Sequence, residues 1–242
     1  LRTAYLRGLA AAFMHRPYHR MPRNAWAMAY LAALGHDAAQ DDGDAARELD
    51  GYCATAGVSR NDVMREWQHG VDGCEGDALP ADAYPAASAV LKVFRKSDAY
   101  ARVVEGTLQT GSDAMMEFGN LYTAALLAWL AAGLDDAAAR DVDLDGRDLL
   151  LLGYGSGDAA EAIPARVAPG WRDAARAMRF REALAGAVDL DQPGYAALHD
   201  SAAQDSARTN ASSGVVIDRV GTRNDHAFQD YGIAYYRYLG QP

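Results

Sequence analysis

Apolar residues recur at helical spacing from the start of the chain: Tyr5, Leu6, Leu9 and Phe13 predict a helix over Leu1 to Phe13. Pro17 and Pro22 then exclude a continuous helix through the segment from Phe13 to Pro22. From Arg23 the positions Trp26, Met28, Tyr30, Leu31 and Leu34 predict a second helix, ending near Gly35. The middle third reads as surface-like helices punctuated at Gly43, Gly57, Gly73 and Pro80. Within it Ser59 can cap a helix, with Asp62 three residues on. Val90, Leu91, Phe94, Tyr100, Val103 and Val104 carry a helical rhythm from Ala86 towards Glu105, with a break near Ser97.

Beyond Asn120 the pattern changes. Leu121, Ala124, Ala125, Leu127, Ala128, Leu130, Ala131 and Leu134 are apolar on nearly every face, which predicts a helix buried all round. After a polar turn at Asp143 to Arg147, the run from Leu149 to Leu152 has strand length and predicts a central strand covered on both faces. Ala159 to Val167 can return as the second arm of a hairpin. Helices are predicted around Trp171 to Leu184 and from Pro193 to about Ala203, then a polar loop near Asp205 to Ser213. Val215 to Gly221 and Phe228 to Leu239 are the last strand candidates. Helices alternating with a few short strands place the chain in the α/β class.

Composition narrows the function. At 242 residues and 50% hydrophobic, the chain can bury a sizeable core and fits one large domain or part of a larger one. A net charge of -10, without a clustered basic face, argues against nucleic acid as a partner. The two cysteines, Cys53 and Cys74, have no paired spacing, so they read as ordinary thiols of a reducing cytoplasm and not as a zinc site or disulfide framework. No apolar run approaches membrane-spanning length and no signal peptide opens the chain, which argues against a membrane partner. The chain opens on Leu1 in place of Met, so these residues read as the tail of a longer polypeptide.

Candidate chemistry sits at the punctuation. His15, followed at once by a proline-bent turn, can serve as a general acid/base or donate to a carbonyl; equally, it can be a turn histidine satisfied by backbone carbonyls. His15 and His19 are four residues apart, but Pro17 breaks the helix that would give a zinc pair meaning. Gly153-Tyr154-Gly155-Ser156-Gly157 offers a serine hydroxyl to a ligand carbonyl, or is a tight turn that needs glycine; its setting is not that of a nucleophile elbow. Asn120 can cap the following helix or present its amide to an oxyanion.

Taken together, His15-x-Pro17-Tyr18, then Gly119-Asn120-Leu121-Tyr122-Thr123, then a short strand and Tyr154-Gly155-Ser156-Gly157 resemble the C-terminal half of 3-hydroxy-3-methylglutaryl-CoA synthase. Tyr5-Leu6-Arg7, Met21 with Arg23, Ser97 to Leu108 and Tyr235-Tyr236-Arg237-Tyr238 add to the likeness, which spans nearly all of residues 1–242. The resemblance implies a thiolase-like fold, a mixed β-sheet covered by helices with a helical middle insertion. It implies a cytoplasmic acyltransferase of the mevalonate route, condensing acetyl-CoA with acetoacetyl-CoA in a Claisen-type reaction, with no cofactor beyond the CoA thioesters and no metal. By the same likeness His15 holds and polarises the acetoacetyl carbonyls, and Asn120 and Ser156 hydrogen-bond the acyl group and its thioester. Tyr122 and Tyr154 wall the cleft, and Arg20 and Arg23 meet CoA phosphates. The cysteine nucleophile and glutamate of that family belong to its N-terminal half, and no residue here replaces them by motif. The span from Tyr5-Leu6-Arg7 to His15 is also shorter than the family pattern, which implies a trimmed loop or a lost first strand. The full-length protein is expected to be a homodimer. Carrier-protein thioesters as substrates, and a non-catalytic acyl-thioester-binding subunit, are the alternatives.

Overall fold

A computed structural model describes residues 2–69, 84–119, 121–155, 159–199 and 215–240. The chain divides into two units, Leu1–Ala185 and Gly186–Pro242.

The first unit is built on a three-stranded sheet in the order β1-β2-β3. β1 (Ala11–Met14) runs parallel to β2 (Asp148–Gly155) with Phe13 beside Leu151, and β3 (Ala159–Arg166) returns antiparallel with Ile163 beside Leu151. The sheet is therefore mixed, and the hairpin expected after the glycine-rich turn is present. The helix expected through Phe13 is corrected: α1 (Thr3–Gly8) stops early and Ala11–Met14 extends. Leu6, Leu9 and Phe13 fit a 3.6-residue period, yet all four strand residues are buried, and pairing with β2 decides the conformation over local spacing.

Helices pack against β1 and β2, while β3 is largely exposed. The backbone and hydroxyl of Thr3 both donate to the Asp37 carboxylate, at 2.8 and 2.6 Å, which fixes α1 to α2 (Met21–Ala38). α3 (Gly43–Ala56) is capped by Asp42, whose side chain accepts from the backbone of Asp44 and Ala45. α4 (Arg60–His69) opens on the expected cap, the Asp62 backbone donating to Ser59 Oγ at 3.1 Å. The Glu66 carboxylate takes the free N–H groups of Ala86 and Ala87, both at 2.8 Å, at the start of α5 (Pro85–Phe94). Ser97 breaks the rhythm as expected: its Oγ donates to the Phe94 carbonyl and accepts from the Tyr100 backbone.

Beyond Ser97 come α6 (Asp98–Tyr100), a π-helical turn over Ala101–Glu105, and α7 (Gly106–Leu108). The π turn places the Val103 carbonyl where Trp26 Nε1 donates to it at 2.8 Å. Phe94 stacks on Tyr30 with ring centroids 5.3 Å apart and meets Tyr52 and Tyr100 edge-on, which knits α2, α3, α5 and α6 into one apolar cluster.

α8 (Ala124–Ala139) crosses the sheet. It was expected to be buried all round, but only the face of Ala125, Trp129, Ala132, Gly133 and Ala137 is buried, and Leu127 is 67% exposed. Small residues explain which face packs. A Cβ on Gly133 would lie 2.3 Å from the Phe13 ring, and one on Gly111, whose φ is +69°, would lie 2.4 Å from the Gly133 backbone nitrogen. Only glycines let the 109–113 loop, α8 and β1 approach so closely. The helix expected from Trp171 to Leu184 is two, α9 (Trp171–Met178) and α10 (Phe180–Ala185), because Arg179 adopts the left-handed conformation.

The second unit holds α11 (Gln192–His199) and a hairpin of β4 (Val215–Val220) with β5 (Ala234–Tyr238), bulged between Ile217 and Arg219. The last strand begins later than Phe228. The Asp225 side chain accepts from the backbone of Ala227 and Phe228, and this turn removes them from the ladder. Asp230, 3% exposed, anchors the hairpin by accepting from the Arg223 backbone and the Tyr235 hydroxyl.

Candidate functional site

β1 and β2 end side by side, and the site is built on their last residues. The His15 backbone donates to the Leu152 carbonyl at 3.0 Å, so the register of β1 against β2 carries one residue past Met14 and sets His15 beside Gly153. Gly153 in turn pairs with Glu161 of β3. His15, Gly153 and Glu161 thus form one row across the sheet, and residues in such a row share a face. That face is the one α8 crosses: Leu126 Cδ2 lies 3.9 Å from the place a Cβ on Gly153 would take. With no side chain at Gly153, the row leaves a slot with a backbone floor.

The slot opens into a cavity of about 510 Å³ lined by His15, Thr123, Leu126, Tyr154 and Glu161. The His15 and Tyr154 rings stand 6.0 Å apart at 48°. His15 Nδ1 is buried and has no hydrogen-bond partner among the described residues. At this nitrogen, then, the ring is not held by a backbone carbonyl. An imidazole on the wall of a largely apolar cavity can donate to a carbonyl or move a proton.

The residue after it is unusual as well. Arg16 is 7% exposed, its Nη1 donating to the Ser112 carbonyl at 2.9 Å and to Ser112 Oγ at 3.1 Å. The guanidinium lies 5.0 Å from the centre of the Trp129 ring, and Nη2 contacts His19 Nδ1. Burial and then the Arg23 charge push the Arg16 pKa down. Burial, Arg16 and Arg23 do the same to His19.

Of the residues singled out by sequence, the structure brings His15 and Tyr154 together on one cavity. Tyr122 has φ +51° and stands 71% exposed beside Thr123, outside the cavity lining. Arg20, which is exposed, and Arg23, which is half-buried, flank the start of α2 and do not line the cavity either. Asn120, Ser156 and Cys74 lie outside the described residues. Thr123, Glu161 and Arg16 were not singled out. Glu161 could have been found by counting back along the hairpin to the residue opposite Gly153, whereas the Arg16 contact joins residues 96 apart and has no local signal.

A larger cavity, about 870 Å³, lies at the other end of β1, where Arg7, Tyr30, Glu48 and Arg102 line it. Within it Arg7 donates to the Tyr30 hydroxyl and to Glu48 at 2.6 Å each, and burial with the Glu48 charge pushes the Tyr30 hydroxyl up to about 12. Cys53 is buried in α3, and burial pushes its thiol up, which suits packing and not nucleophilic attack. Among the described residues no group of three His, Cys, Asp or Glu side chains could hold a metal ion, and no helix is long and apolar enough to cross a membrane.

A mixed three-stranded sheet with helices packed across it makes this unit an α/β fold. No protein-family model matches the chain. The hydroxymethylglutaryl-CoA synthase of Haloferax volcanii is 34% identical over 103 residues, which are 43% of this chain and 22% of that protein. The solved structure of MvaS in complex with 3-hydroxy-3-methylglutaryl coenzyme A is similar at a TM-score of 0.58 and 21% identity, covering 97% of this chain and 42% of that one. The curacin biosynthetic pathway HMG synthase in complex with apo donor-ACP aligns at a TM-score of 0.47 and 14% identity, covering 97% of this chain and 44% of that one. The chain is thus similar to hydroxymethylglutaryl-CoA synthases, and it spans less than half the length of each of these relatives.

Proposed function

We propose that this chain is the C-terminal, substrate-holding half of a hydroxymethylglutaryl-CoA synthase, an acyltransferase that condenses acetyl-CoA with acetoacetyl-CoA. The observation that carries the reading is the His15 imidazole on the cavity wall, with Nδ1 buried and uncommitted, in a chain similar to these synthases. In the reaction a carbanion attacks a ketone, and negative charge grows on the ketone oxygen. A neutral donor fixed in a dry cleft stabilises that charge without reorganising. His15 takes this role, Tyr154 walls the acyl group, and Asn120 and Ser156 hold the thioester. Arg20 and Arg23 meet the CoA phosphates. By the likeness to these synthases the attacking thiol and the general base come from residues outside this chain; burial pushes the Cys53 thiol up, which does not suit attack.

The substrates are CoA thioesters without a further cofactor, in a cytoplasmic mevalonate route and a homodimeric full-length protein. The test is condensation by the full-length protein, followed as free CoA thiol released from acetyl-CoA and acetoacetyl-CoA. His15→Ala is expected to lower kcat/KM for acetoacetyl-CoA by about 10²–10³-fold, the scale of losing one oxyanion donor. An unchanged kcat/KM removes His15 from the site. Faster turnover of acetoacetyl-carrier protein than of acetoacetyl-CoA moves the substrate class to carrier-bound thioesters.

A further inference from the structure

We propose that Arg16 is a positioning residue for His15, its buried guanidinium clamping the exit of β1 so that the imidazole is held against the cavity; this rests on the function proposed above. A buried cation is costly unless its donors are used and its charge is met. Among the described residues no carboxylate forms an ion pair with Arg16. Its charge is met instead by the Ser112 carbonyl and hydroxyl, by the Trp129 ring face and, at longer range, by Asp113. Ser112 and Trp129 are themselves fixed, the Ser112 backbone donating to the Gln109 carbonyl at 3.0 Å. Trp129 Nε1 donates to the Thr110 carbonyl at 3.0 Å, and its ring meets Phe13 of β1 edge-on at 6.0 Å. The Gly111 and Gly133 backbones interlock between them. Arg16 therefore ties three segments, the β1 exit, the 109–113 loop and α8, at a single planar group.

His15 is gripped from both sides as a consequence. Its own N–H is held by Leu152 across the sheet, and the next residue is pinned by its side chain and pre-extended by Pro17. Both bonds to Ser112 leave from the single nitrogen Nη1, so lysine could keep them and the charge, but not the plane over the Trp129 ring. Arg16 is not among the residues that line the cavity, whereas His15, its neighbour in the chain, is, and this is the route by which it acts on the site.

The experiment is a double-mutant cycle in the full-length protein with His15→Ala, Arg16→Gln and the pair. Alone, Arg16→Gln is expected to raise KM for acetoacetyl-CoA about tenfold or more, while transfer of acetyl from acetyl-CoA to the enzyme stays within about twofold. In the His15→Ala background the same change is expected to add nothing. Equal losses in acetyl transfer and condensation, or an additive loss in the double variant, overturn the proposal. If Arg16→Gln does not fold, Ser112→Ala removes one of the two acceptors of Nη1 and is expected to move KM in the same direction by a smaller factor. The His15 ring ¹⁵N resonances supply a readout that needs no turnover: they are expected to shift in the Arg16 or Ser112 variant. Unmoved resonances sink the positioning role, whereas a wild-type protein that fails to condense the two thioesters sinks the functional reading alone.

Discussion

His19 shows how one residue's environment becomes a measurable pH dependence. Burial, Arg16 and Arg23 all disfavour its charged form, Arg20 adds to them, and Asp113 opposes. Its folded-state pKa lies below the unfolded value of about 6.5, so between the two the unfolded chain binds more protons and stability rises with pH. Stability is expected to be full above about pH 6.5 and to decline as pH falls through that value towards the folded pKa. Urea midpoints measured across this range check it: His19→Gln is expected to flatten the slope, and an equal slope in the variant assigns it to other groups. At this scale His15 was legible, because a histidine before a proline-bent turn carries its own local signal. Arg16 was not, since in sequence it is one more arginine in a polar turn and its acceptor is Ser112, across the fold.

Elements were legible where their ends carry chemistry. The entry at Ser59 with Asp62 and the break at Ser97 are side-chain hydrogen bonds that local sequence encodes, and both are present. β1 was hidden because four apolar residues following a helix fit either period until a partner strand is known. The one-sided burial of α8 was hidden for a related reason: alanines and glycine pack as tightly as leucines repel water, and the buried face is the small one. Close approach there is a stability prediction. Gly111→Ala combines a left-handed backbone with a Cβ 2.4 Å from the Gly133 nitrogen. It is expected to cost more than about 3 kcal/mol by denaturant unfolding, the sum of left-handed strain and overpacking. A loss under about 1 kcal/mol would mean the loop moves away freely.

For the whole molecule, fold likeness extends further than sequence likeness. Identity to the Haloferax volcanii synthase is detectable over 43% of the chain, whereas the MvaS fold covers 97% of it. Buried position and hydrogen-bonding constrain residue type more loosely than chemistry does, so architecture persists where identity fades. The slot over Gly153 shows what such architecture can impose. Its walls, His15 and Glu161, stand two strand spacings apart, about 9.6 Å between backbones, a width set by peptide hydrogen bonds that no rotamer can alter. A Cβ at 153 would meet Leu126 and the Glu161 carbonyl at 3.9 Å, ordinary contact, so Gly153→Ala is expected to fold within about 1 kcal/mol of wild type while raising KM for branched acyl thioesters more than for linear ones. Equal effects on both would show that acyl groups do not lie there. For an acyl group seated there as proposed, the sheet would be a fixed gauge that sorts by thickness instead of by length.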